Sequence, residues 1–186
     1  QERIVGVLRM AEYLSPKYHV VVANPPYMGG KGMNELLATW LKDNYADVKS
    51  DLFSAFIVRN TQLTLPSGQL GFMTPFVWMF ISSYEKLRAF ILKQKTLTSL
   101  IQLEYSGFDG ATVPICTFTM QNNHMPAFIG GYVKLSDFKG ARYQAPKTLE
   151  AIKNPDCGWF YRASGEDFLK IPGSPVAYWL SHRAIS

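Results

Sequence analysis

The residues His19-Val20-Val21-Val22-Ala23 form an apolar, largely β-branched run, and Asn24-Pro25-Pro26-Tyr27 follow it without a spacer. A run of this kind reads as a strand of a parallel sheet, buried on both faces. The next residues cannot continue it. Asn24 and Pro25 each precede a proline and are pushed to extended conformations, and the two rings fix φ at 25 and 26. The result is a stiff turn at the end of a strand, which is where open α/β sheets place their ligands. One short stretch therefore constrains both the fold and the position of a site.

The rest of the chain fits that start. Beyond the 24–32 loop, residues 34–46 read as a helix and 51–65 as a second, with Leu52, Phe53, Phe56, Ile57 and Leu63 on one face and Asp51 as its cap. Pro66-Ser67-Gly68 stops that helix, and residues 69–74 read as the next strand. Ser82-x-x-Glu85 has the capping-box pattern and opens a helix to about Lys95. Residues 97–105 and 113–120 are further strand candidates with no helix between them, so the last can pair antiparallel. Strands alternating with helices predict an α/β layer with a mostly parallel sheet.

After Met125 the texture changes to one strand candidate over 128–135, then Gly, Pro, Lys and aromatics. This predicts a boundary, with 1–125 as one unit and 126–186 as a short irregular extension. Ser174-Pro175 has the cap-then-proline order that starts helices, so 176–182 reads as the beginning of one.

Composition narrows the class. The 186 residues are 47% hydrophobic and 18% charged, the makeup of a globular protein of one to two small domains. The net charge of +5 is spread over both parts of the chain; it permits nucleic-acid binding without arguing for it. Cys116 and Cys157 have neither C-x-x-C spacing nor a companion His cluster, so no disulfide framework and no zinc site is expected, and a reducing cytoplasm fits. The longest apolar stretch, 72–81, is interrupted by Thr74 and Pro75 and is far shorter than the roughly 20 residues of a membrane span. No membrane association is expected. The first ten residues lack a starting Met and read as the interior of a longer protein.

The turn also carries a chemical pattern. A planar amino group is a poor nucleophile because its lone pair is delocalised into the ring. The Asn24 side-chain oxygen and the Pro25 carbonyl are two acceptors held by a stiff backbone. Taking both amino hydrogens, they would move the nitrogen toward tetrahedral geometry and aim its lone pair at a methyl sulfonium. No metal is required. Tyr27 would stack on the base, a contact of about 1 to 3 kcal/mol that offsets part of the cost of extruding it from a duplex. The competing reading is a rigid turn and nothing more, since Asn and Pro are ordinary turn residues.

On these residues the sequence resembles the amino-methyltransferases of the S-adenosylmethionine-dependent fold, whose motif is Asn/Asp/Ser-Pro-Pro-Tyr/Phe/Trp. The resemblance implies that Asn24, Pro25, Pro26 and Tyr27 are catalytic. Asp51-Leu52-Phe53-Ser54-Ala55-Phe56 resembles the family's next motif and implies a donor-binding role for Phe56 against the donor's adenine, with Asp51 and Asn24 beside it; a core helix position is the alternative for Phe56. Gly68 to Pro75 resembles a structural strand motif. Phe108-Asp109-Gly110-Ala111-Thr112-Val113 resembles the segment whose aromatic touches the flipped base, which implies base binding by Phe108; a phenylalanine covering the sheet end is the alternative.

More closely, residues 24–34, the Phe108 segment and Ile171-Pro172-Gly173-Ser174-Pro175 with Tyr178-Trp179 resemble the BREX or Pgl-type adenine-specific DNA methyltransferases, relatives of the Eco57I-type IIG enzymes. The fold so implied is the C-terminal half of a Rossmann-like methyltransferase sheet, mostly parallel with its last strand antiparallel. Implied with it are S-adenosylmethionine as cofactor, double-stranded DNA with a flipped adenine as substrate, partner proteins of a phage-defence system, and a DNA-recognition region beyond residue 186. The Gly-rich donor motif precedes the catalytic loop in this family, and only 23 residues precede Asn24 here. The 186 residues alone are therefore expected to be inactive. Gly29-Gly30-Lys31-Gly32 lacks the spacing of a phosphate-binding motif and reads as a loop, with Lys31 a phosphate contact. Cytosine N4, methylation of a protein glutamine amide, and a non-catalytic module stay open as alternatives.

Overall fold

The structure, a computed structural model, describes residues 2–105, 107 and 113–180. Its described elements, in chain order, are α1 (Glu2–Leu14), β1 (Tyr18–Ala23), α2 (Glu35–Asn44), α3 (Leu52–Leu63), β2 (Thr64–Pro75), α4 (Glu85–Gln94), β3 (Thr96–Gln102), β4 (Ile115–Gln121), β5 (Ile129–Lys134), α5 (Ala141–Lys153), β6 (Phe160–Ser164) and α6 (Gly165–Leu169). The strands make one sheet in the order β1-β2-β4-β3-β5-β6. β1, β2, β3 and β5 run in one direction, and β4 is inserted antiparallel between β2 and β3. The 113–120 strand candidate thus pairs antiparallel on both sides, in the register Phe72↔Phe118 and Leu100↔Phe118.

Period-two alternation sorts the sheet into two faces. Leu70 and Phe72, Cys116, Phe118 and Met120, Leu100, and Tyr132 point to one side. There they bury against Phe53 and Ile57 of α3 and Leu87 and Ile91 of α4. A second cluster joins Val133, Ile115 and Leu103 to Ala151 of α5. β5 and β6 continue the sheet, because β5 pairs parallel with β3 and β6 pairs antiparallel with β5.

Several local expectations are corrected. β1 was expected to be buried on both faces; it lies at the border of the described sheet, and Val20 and Val22 are 60% and 76% exposed. The inner side of α3 is made by Phe53, Ser54, Ala55, Ile57, Asn60 and Thr61, not by Phe56, which is 38% exposed. Small polar residues can face inward here because they are bonded: Ser54 Oγ donates to the Val48 carbonyl at 2.6 Å. The strand β2 begins at Thr64, before Pro66, and its register against β1 shifts across the stretch where Ser67 takes φ +62°. A Cβ on Gly68 would lie 2.8 Å from the His19 carbonyl, so only glycine allows β1 and β2 to approach there.

The Ser82 capping box does not form. α4 starts at Glu85 after a tight 3-10 turn over Ser82–Tyr84, with no side-chain cap. The buried Arg88 donates to the Trp78 and Ile81 carbonyls at 2.8 and 2.7 Å, pinning the incoming chain in that tight turn. A capping box does form at Ser164 and Asp167, opening α6. The helix expected from residue 176 is absent over 176–180. Ser174 has φ +50°, the Val176 N–H donates to the Met79 carbonyl, and the Tyr178 ring stacks on Tyr132 with centroids 5.0 Å apart. Burying Val176 and Tyr178 outweighs the local cap signal.

Candidate active site

The loop after β1 leaves the sheet where β1 and β2 stop pairing. The last register pair is Ala23↔Phe72, and the two prolines have no N–H with which to extend the ladder. Asn24 and Pro26 are exposed, Pro25 is buried and Tyr27 is half-buried. Solvent therefore reaches Asn24, while the Tyr27 ring is partly covered.

Tyr27 is the hinge of this arrangement. Its ring meets Phe53 edge-on at 6.4 Å and packs against both hydrophobic clusters. The Tyr27 hydroxyl oxygen lies 3.2 Å from Asn24 Oδ1 and 3.2 Å from the Met73 carbonyl oxygen. Burial, with a smaller contribution from Cys116, raises its pKa above the ordinary value of 10.0, so the phenol keeps its proton at neutral pH.

Asp51 ties the loop to α3. Its Oδ1 accepts from the Met28 N–H at 2.9 Å and from the Phe53 N–H at 3.3 Å, so it caps the helix as its position predicts and also grips the loop after β1. The Met28 carbonyl in turn accepts from the Leu52 N–H at 3.0 Å, and Gly29 forms an isolated antiparallel bridge with Asp51. The Phe56 ring stands exposed one turn into the same helix. Lys31 is exposed in a 3-10 turn over Gly30–Gly32. Phe108 lies outside the described residues.

Asn24 also borders an open groove of about 360 Å³ along the sheet face opposite α3 and α4, lined in part by Val22, Met73, Ile101 and Thr117. A larger cleft of about 520 Å³ between the end of α2 and α4 contains none of the expected site residues.

The structure thus brings Asn24 and Tyr27 into hydrogen-bond contact and ties Asp51 to the next residue of the same loop, Met28. The Met73 carbonyl meets the Tyr27 hydroxyl too. Nothing in the sequence marks that residue, because its role comes from its backbone and from a strand that ends beside it.

The sheet order, with one antiparallel strand inserted beside a parallel pair and a rigid loop at the strand end, defines a Rossmann-like methyltransferase sheet. It resembles the methyltransferase subunit of a type I restriction-modification system from Streptococcus thermophilus, with a TM-score of 0.63 at 16% identity over 86% of this chain and 37% of that one. Residues 9–108 match the family described as Eco57I restriction-modification methylase, and the chain belongs to that family. Over its whole length it is 34% identical to the adenine-specific methyltransferase PglX of Lacticaseibacillus casei (strain Zhang), of which it spans 16%. It is 35% identical over 179 residues, 95% of the chain, to the adenine-specific methyltransferase BrxX of Escherichia coli O9:H4 (strain HS), of which it spans 14%. Among the described residues no helix is long and apolar enough to cross a membrane.

Proposed function

We propose that the chain is the base-positioning part of an S-adenosylmethionine-dependent DNA methyltransferase acting on the N6 amino group of a flipped adenine, in restriction-modification or phage defence. The observation that carries this reading is the Asn24–Tyr27 turn at a parallel strand end, with an exposed Asn24 and a half-buried Tyr27 whose hydroxyl meets the Asn24 amide. Because the chain spans about a sixth of its relatives, the activity is proposed for the full-length protein.

In this reading the Asn24 side-chain oxygen and the Pro25 carbonyl accept the two amino hydrogens. Their fixed positions localise the nitrogen lone pair on the face away from the loop. Tyr27 presents its ring to the base, and Phe108 supplies an edge contact. The dispersed charge and open sheet face leave recognition of the DNA sequence to another region; residues 1–125 serve catalysis and 126–186 lead toward that region.

The chain's fit to the cofactor is partial. Phe56 is an exposed aromatic ring on the helix that Asp51 anchors to the loop, and an exposed ring suits stacking on the donor's adenine. Asp51 acts on this side chiefly by fixing the loop, since its Oδ1 is engaged by two backbone N–H groups. When bound, S-adenosylmethionine supplies an electrophilic methyl group on its sulfonium.

The test is methyl transfer from tritiated donor by the full-length protein, offered DNA and protein substrates. Label is expected in DNA adenine, and Asn24→Ala should lower kcat by about a hundredfold or more, the scale of losing a principal polar contact to the reacting group. Label in protein, or an unaffected Asn24→Ala, would overturn the reading. The isolated 186 residues should show no micromolar donor binding by calorimetry.

A further inference from the structure

We propose that Tyr27, besides offering its ring to the base, is a positioning residue whose hydroxyl sets which way round the Asn24 amide sits. This inference rests on the methyl-transfer reading above. The argument is a count of hydrogens. A phenol has one hydrogen to donate, yet the Tyr27 hydroxyl has two oxygens at equal distance, Asn24 Oδ1 and the Met73 carbonyl, each at 3.2 Å. Donation to either leaves the other as a contact between two acceptors.

One rearrangement satisfies both contacts without moving the backbone. Turning the Asn24 amide by 180° about χ2 exchanges Oδ1 and Nδ2, which are nearly the same shape. Asn24 Nδ2–H then donates to the Tyr27 oxygen, and the Tyr27 O–H donates to the Met73 carbonyl. The direction of this chain is set by its last member, because a backbone carbonyl can only accept. Met73 is one residue beyond the last pair of the β1–β2 ladder, where the prolines of the turn have no N–H to offer. The ring is held half-buried by Phe53, so the phenol cannot easily swing to another partner.

The consequence falls on the chemistry. With Nδ2 committed inward, Oδ1 faces outward with its lone pairs available to a substrate amino hydrogen. With the amide in the other orientation, an N–H would meet an N–H. The hydroxyl therefore selects the productive amide, and the ring and the hydroxyl of Tyr27 have separable jobs.

The experiment uses the full-length protein on a DNA duplex. Tyr27→Phe keeps the ring and should lower kcat about tenfold with KM for DNA changed less than about twofold. The fluorescence of 2-aminopurine at the target position, which reports extrusion and stacking, should be unchanged. The decisive comparison places Tyr27→Phe in the Asn24→Asp background. A carboxylate has two equivalent oxygens and no orientation to select, so there the loss should shrink to about twofold or less. An undiminished kcat for Tyr27→Phe, an equal fold-loss in both backgrounds, or a parallel loss of the 2-aminopurine signal overturns the proposal. If Asn24→Asp has no measurable activity, kcat and the 2-aminopurine signal of Tyr27→Phe decide alone. Loss of the Asn24→Ala effect would instead sink the underlying methyl-transfer reading, so the two failures are distinct.

Discussion

Val22 and Phe118 lie two strands apart in one sheet, yet Val22 is 76% exposed and Phe118 is 2% exposed. They point to opposite faces, Phe118 to the one covered by α3 and α4 and Val22 to the open one, and their strands also differ in neighbours. β4 is flanked by β2 and β3 and covered on one face by α3 and α4, whereas among the described residues β1 pairs only with β2. α1 repeats the lesson: Ile4, Val7, Leu8, Met10 and Tyr13 are each more than 60% exposed, and none of its residues is buried. The candidate site spans this contrast. Asn24 follows the open border strand, while Tyr27 anchors the same loop in the packed interior. A reactive group that must meet a substrate benefits from the open side, and a group that must hold its partner in place benefits from the packed one.

The sharpest way to break the comparison is to empty the packed side. Trp78 is fully buried with its ring 5.0 Å from Phe118, so Trp78→Ala should cost about 3 to 5 kcal/mol in urea unfolding. A cost below about 1 kcal/mol would mean the interior is not packed as described. Asn122 is next: its Nδ2 lies 2.9–3.2 Å from the carbonyls of Thr61, Thr64 and Leu65, which share its two hydrogens, and holds the α3–β2 junction. Asn122→Ala should cost about 1 to 3 kcal/mol, the penalty for buried acceptors left without a donor.

Alkaline pH probes the same interior more gently. Burial pushes the Cys116 thiol up to about 12 from 9.0, and the Tyr84 phenol to about 12 from 10.0. Both folded pKa values are raised, so the folded state holds more protons than the unfolded one between the two values. Stability from Cys116 is complete below pH 9 and is lost as pH rises toward 12; that from Tyr84 is complete below pH 10 and lost over the same upper range. Tm should be flat below pH 9 and then fall, and Cys116→Val should make the fall shallower.

The smallest effect belongs to the border. The double substitution Val20→Thr, Val22→Thr should change unfolding free energy by no more than about 0.5 kcal/mol, because exposed side chains lose little packing. A cost above about 1 kcal/mol would show that this face is covered in solution, and the contrast with β4 would dissolve.

Much of this was legible locally. A β-branched run predicts a strand wherever it lies, and consecutive prolines stiffen a turn without help from neighbours. Asp51 caps α3 because the bond to the Phe53 N–H spans only two residues. Phe108 remains an expectation carried by motif resemblance. The errors arose where local preference met packing: Ser82 lost its cap to the pinning by Arg88, Ser174-Pro175 lost its helix to the burial of Tyr178, and Phe56 was displaced from the inner face of α3 by bonded small residues.

The sequence by itself determined the chemistry available at the loop, because two fixed acceptors and a ring are covalent properties of Asn24 to Tyr27 and of the prolines between them. Only the tertiary structure decided which strand stands beside which, that Val20 and Val22 face outward, and that the Met73 carbonyl, 46 residues from Tyr27, meets its hydroxyl. Burial and long-range hydrogen bonds depend on many residues at once, and no local pattern contains them.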